Sequence, residues 1–104
     1  MEYNKLVRDR IPEIIAAEGK SCQVEVMDEA AFQLALRQKL VEEAIEAAEA
    51  GADLVKEIAD LYEVIDTLIR INGLDKHDIL VAQEQRRNER GSFDKQIQLL
   101  EVKD

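Results

Sequence analysis

Residues 28–71 read DEAAFQLALRQKLVEEAIEAAEAGADLVKEIADLYEVIDTLIRI, and the spacing of apolar positions in this stretch decides the fold. Asp28 stands three residues before Ala31 in the manner of an N-cap and opens a helix that continues to Ala50, where Gly51 closes it. Asp53 caps a second helix that runs to about Ile71, ahead of Asn72 and Gly73. At about 100° per residue, with Glu43 at zero, Phe32, Leu36, Ala47 and Ala50 fall within about 40° and Leu40 at about 60°. Glu43 therefore lies inside an apolar stripe, and Glu46 lies at its margin, about 60° away. The second helix repeats the arrangement. With Glu57 at zero, Leu61, Val64, Leu68 and Ile71 lie within about 40°, and Asp60 sits about 60° to the side.

Working outward, Pro12 lies in the first turn of a short helix reaching about Glu18, with Gly19 after it. From Ser21 to Met27, Cys22, Val24 and Val26 alternate with Gln23 and Glu25, which is the period of a half-buried strand. Its best partner is the tail from Gln96 to Val102, and Cys22 then reads as a strand-core residue. Asp75, with Asp78 three residues on, opens a fourth helix to about Arg90, stopped by Gly91, with His77 on the surface of its first turn. The expected fold is all-α: a bundle of about four helices with a small two-stranded β appendage.

A length of 104 residues fits a single domain over 1–104. The net charge of -9 repels a phosphate backbone or an anionic membrane, so neither a nucleic acid polymer nor a membrane is an expected partner. One cysteine forms no intramolecular disulfide and no Cys-based zinc site, which fits a cytoplasmic protein. No apolar run approaches the roughly 18–20 residues of a membrane span, and the opening residues lack a signal-peptide core.

The hairpin brings the inward carboxylates together. Glu46 lies five residues before Gly51 and Glu57 six after it, while Glu43 and Asp60 lie eight before and nine after. At about 1.5 Å per residue each pair matches in depth to about 1.5 Å. Two unit charges about 4 Å apart repel by roughly 4 kcal/mol at an effective dielectric near 20. Such a cluster must take up protons or a cation, and an all-oxygen set selects a hard ion, Mg²⁺ or Mn²⁺.

The strings Glu42-Glu43-Ala44-Ile45-Glu46 and Glu57-Ile58-Ala59-Asp60 resemble the EExxE and ExxD halves of the MazG-like, all-α nucleoside triphosphate pyrophosphohydrolase superfamily. The opening from Tyr3 to Pro12 resembles its phosphoribosyl-ATP pyrophosphohydrolase-like branch. The resemblance implies metal ligands at Glu43, Glu46, Glu57 and Asp60, the four residues that the helical wheel selects. It also implies Mg²⁺-dependent hydrolysis of the α–β phosphoanhydride of a nucleotide to a monophosphate and pyrophosphate. Glu46 is the expected catalytic base, as a carboxylate not fully committed to metal.

Positive charge gathers at two places: Lys5, Arg8 and Arg10 near the start, and Arg86, Arg87, Arg90 and Lys95 near the end. Lys5, Arg8, Arg86, Arg90 and Lys95 are the candidate phosphate-binding residues, although basic residues at a helix C-terminus also offset the macrodipole without any ligand. Leu34, Val41, Ile45 and Ala48 form a second apolar strip roughly opposite Glu43, so a homo-oligomer, dimer or tetramer, is expected. Two other readings stay open: a non-catalytic helical interaction module, and a nucleotide- or metal-binding regulator without turnover. An interaction module alone has no reason to turn carboxylates inward.

Overall fold

The structure is a computed structural model that describes residues 4–104, so Tyr3 lies outside the described residues. Four helices follow one another: α1 (Ile11–Ala17), α2 (Glu29–Glu49), α3 (Leu54–Ile71) and α4 (Lys76–Arg90). By contacts the chain divides into two units, Met1–Leu68 and Ile69–Asp104, with the division inside the last turn of α3. The class is all-α, and no helix is long and apolar enough to cross a membrane among the described residues.

In the first unit, local chemistry fixes the helix ends. Pro12 sits in the opening turn of α1, where a missing N–H costs nothing. The Asp28 carboxylate accepts the Ala31 N–H at 2.8 Å and starts α2. Asp53 precedes α3, but its carboxylate accepts the Gly51 N–H at 3.2 Å instead of a helical one, so it ties the α2–α3 turn together. The core of this unit is small. Leu36 and Val64 are buried, and Phe32, Leu40, Ala47, Leu61 and Leu68 around them are half-buried. These are the stripes on which the wheels centred. Leu34, Val41 and Ile45 on the opposite side of α2 are exposed, as are Val55 and Tyr62 on α3.

The two-stranded appendage is absent: neither 21–27 nor 96–102 forms a strand. Alternation stabilises a strand only when one face is buried and the ladder is paired. Here Val24 and Val26 are both exposed, Val26 almost wholly, and Cys22 is exposed as well, so the alternation marks no inner face.

In the second unit, α3 ends in a Schellman motif. The Leu74 N–H bonds to the Ile69 carbonyl at 3.0 Å and the Gly73 N–H to that of Arg70 at 3.2 Å. Gly73 takes φ 64°, a left-handed conformation that is costly for residues with a Cβ. The Asp75 carboxylate then accepts the His77 N–H at 2.9 Å and opens α4. From Asn72 to Asp104 every residue is exposed, including Ile79, Leu80 and Val81 on α4 and Phe93, Ile97 and Leu100 beyond it.

Removing the Leu36 side chain leaves a cavity in the small core, so Leu36→Ala should lower unfolding stability by about 2–5 kcal/mol. Val26→Ala should change it by no more than about 0.5 kcal/mol, because its side chain stands in solvent. Denaturant titration of both variants, with rapid amide exchange across 22–27, checks the assignment of this segment as unpaired chain.

Candidate functional site

The α2–α3 hairpin converts sequence spacing into a cluster. Glu43 from α2 and Glu57 and Asp60 from α3 each present a carboxylate oxygen, and the three atoms lie within 4.8 Å of one another. The three oxygens converge closely enough to form a candidate site for a divalent cation, which takes carboxylate oxygens as ligands. Glu43 is as buried as the apolar core residues beside it, with 7% of its surface exposed. Its Oε2 and the Oε2 of Glu57 are buried without a hydrogen-bond partner. A buried carboxylate oxygen without a donor is costly, and donor-free oxygens converging from two helices are what a cation needs.

The electrostatics carry the same sign. Burial first, and then the neighbouring Glu46, raise the Glu43 carboxyl above the usual glutamate value; Lys39 pulls the other way without cancelling them, and Asp60 adds to the rise. Glu57 is also raised, by burial and then by Glu46, Asp53 and Asp60, against a smaller opposing effect of Lys56. Glu46 is exposed at the margin of the cluster, close enough to Glu43 to share a hydrogen bond with it. It stands outside the three-oxygen set, so the structure brings together three of the four expected ligands and leaves the fourth adjacent.

Cations from the chain reach the rim of the cluster. An Arg8 Nη2 donates to Asp60 Oδ1 at 2.7 Å, bridging the N-terminal segment to α3. Lys5 Nζ lies 3.5 Å from Glu42 Oε1, and Lys39 Nζ lies 3.4 Å from the same oxygen and 3.5 Å from Glu43 Oε1. For Glu42, burial pushes the carboxyl up, but Lys39 and Lys5 outweigh it and the net shift is downward. The motif's two consecutive glutamates thus differ in kind: Glu42 is a neutralised partner of lysines, and Glu43 is an under-compensated inward acid.

Of the expected phosphate-binding residues, Arg8 contacts the acidic cluster at Asp60, and Lys5 contacts Glu42, outside the three-oxygen set. Arg86, Arg90 and Lys95 belong to the second unit, are exposed and make no ion pair among the described residues. Sequence reasoning gave Lys39 no functional role. Its position one turn before Glu43 and three residues before Glu42 was the available signal, since i,i+3 and i,i+4 neighbours share a helix face. No family model, curated protein or solved structure matches this chain.

The raised carboxyls set a pH dependence. Where the folded protein holds a proton more tightly than the unfolded chain, stability falls as pH rises. The contribution of Glu43 and Glu57 is therefore fully present below the usual glutamate value of 4.5 and is lost as pH rises through their higher folded values. Thermal melts in chelator should show this loss between wild type and Glu43→Gln, which lacks the titrating group. At neutral pH without metal, Glu43→Gln should be at least as stable as wild type, because Lys39 keeps Glu42 as a partner and one unpartnered buried oxygen loses its charge. A marked loss of stability in this variant would instead make the Lys39–Glu43 ion pair the purpose of the residue.

Proposed function

We propose that the chain is a MazG-like nucleotide pyrophosphohydrolase that cleaves the α–β phosphoanhydride of a nucleoside triphosphate or a phosphoribosyl-ATP-like nucleotide, with Mg²⁺, or Mn²⁺ in its place, as cofactor. The observation that carries it is the pair of buried, donor-free oxygens on Glu43 and Glu57, with Asp60 within 4.8 Å. Those residues fall in the two acidic strings that resemble the family's motifs, in an all-α frame.

Glu43, Glu57 and Asp60 would hold the cation, with Glu46 beside them. A divalent cation there supplies charge neutralisation for phosphate oxygens and activation of water. Glu46, exposed and outside the three-oxygen set, takes the proton from the attacking water as the water oxygen bonds to phosphorus. The anhydride bond breaks and pyrophosphate leaves. Arg8 and Lys5, carried on the segment before α1, offset phosphate charge as it builds on the leaving group. Within the second unit, Arg86 and Arg90 stand one turn apart on α4 and, with Lys95 beyond it, are that unit's own candidate phosphate-binding residues.

The functional form is a homo-oligomer. Leu34, Val41 and Ile45 on α2 are exposed, and so is every residue from Asn72 to Asp104, so a second copy of the chain would have apolar side chains to cover. Those exposed apolar residues also suit the second reading, a helical interaction module without turnover, and the inward acids favour the enzyme.

A panel of canonical and damaged nucleotides with Mg²⁺ should yield pyrophosphate from at least one member. Glu57→Gln should abolish the release, and Glu46→Gln should slow it about 10²–10⁴-fold. Wild-type turnover in Glu57→Gln would remove the metal-site assignment. Light scattering at micromolar concentration should give a dimer or larger species, and a clean 11.8 kDa monomer would overturn the oligomer.

A further inference from the structure

We propose that the cavity between the N-terminal segment and α2 is an anion subsite that takes the terminal phosphate of the substrate and one end of the pyrophosphate product. This deepens the pyrophosphohydrolase reading and rests on it. The cavity measures about 90 Å³, and its polar wall consists of Asn4, Lys5, Gln38, Lys39 and Glu42. That space admits several water-sized groups, on the scale of one tetrahedral phosphate group. Pockets that enclose whole organic ligands start at about 300 Å³, so the nucleoside stays outside.

The donors suit an oxyanion. Lys5 and Lys39 converge on Glu42 Oε1, and Lys39 also reaches Glu43 Oε1, so the wall gains a net positive charge once a cation takes up Glu43. Each ammonium has three N–H donors, more than those oxygens take up, and the amides of Asn4 and Gln38 add neutral donors to the same wall. Lys39 is four-fifths buried, which strengthens its attraction for an anion relative to a solvated lysine. Asn4 adopts φ 46°, a left-handed backbone uncommon outside glycine and best tolerated by asparagine and aspartate.

Position supplies the link to the reaction. Ala35, Gln38, Lys39 and Glu42 line the cavity at the i, i+3, i+4 and i+7 spacing of one helical face. Lys39 also stands 3.5 Å from Glu43 Oε1, so a single side chain joins the cavity to the acidic cluster. With a cation on Glu43, Lys39 would lose that partner and its charge would be left for the cavity. Cation and anion then bind cooperatively, and linkage makes the coupling reciprocal.

Calorimetry with inorganic pyrophosphate as the probe, with and without Mg²⁺, tests the assignment on the full chain. Lys39→Gln should weaken pyrophosphate binding in Mg²⁺ by roughly tenfold or more, as loss of a charge-assisted contact does. The same variant should bind Mg²⁺ alone as tightly as wild type or more tightly, because a competing cation beside Glu43 is gone. Lys5→Gln, at an exposed position that does not endanger folding, should weaken pyrophosphate binding several-fold. On adding pyrophosphate to wild type, amide resonances of Asn4, Gln38 and Lys39 should shift. Unchanged pyrophosphate affinity in both variants, or shifts confined to the arginines of α4, would overturn the subsite. Pyrophosphate bound at these residues in a protein that hydrolyses no nucleotide would uphold the subsite and reject the reaction. Turnover with unaltered pyrophosphate inhibition in both variants would do the reverse.

Discussion

Mutual repulsion among carboxylates held between α2 and α3 constrains everything else in the first unit. Glu43 occupies a position in the hairpin core that an aliphatic residue would fill at no electrostatic cost, and Glu57 faces it from the returning helix. Around this pair the core shrinks to Leu36 and Val64, with half-buried neighbours filling the turns on either side. The chain's own cations answer the repulsion only at the edges: Arg8 on Asp60, and Lys39 on one oxygen of Glu43. The two oxygens left without donors are where the compensation stops. Local violations of folding rules of this kind concentrate at functional sites.

The cations are not a uniform counter-charge. The segment before α1 lays Lys5 and Arg8 against carboxylates on α2 and α3 respectively, three residues apart in sequence. Lys39 adds a third cation, fixed to α2 itself and shared between a neutralised glutamate and an under-compensated one. One ammonium therefore joins the two carboxylates, and a change of charge at either alters what Lys39 answers at the other.

The second unit states a different constraint. α4 has a well-made N-terminal cap and a glycine stop, yet it buries none of its apolar residues, and neither does the chain after it. Caps and propensity alone leave a helix of this length marginal in water, because most helical stability in proteins comes from burying one face. The exposed apolar residues of α4 and the outer strip of α2 are the surfaces on which assembly would act.

The sequence determined the helices and their inward faces, because helical periodicity is a local property and caps such as Asp28 and Asp75 act within three residues. It also placed Glu43 and Glu57 in the phase of the apolar stripes and set Glu46 and Asp60 alike at the margin, where the pattern does not separate the one that joins the cluster from the one that does not. The pattern misled at 21–27, where alternation is only a potential face and becomes a strand solely when a partner supplies hydrogen bonds and covers it. Tertiary structure alone decided that Arg8 reaches Asp60, that Glu46 stands just outside the cluster, and that Lys5 and Lys39 share Glu42. Those contacts, apart from the Lys39–Glu42 pair within α2, depend on where the chain is carried between helices, and no local periodicity encodes that path.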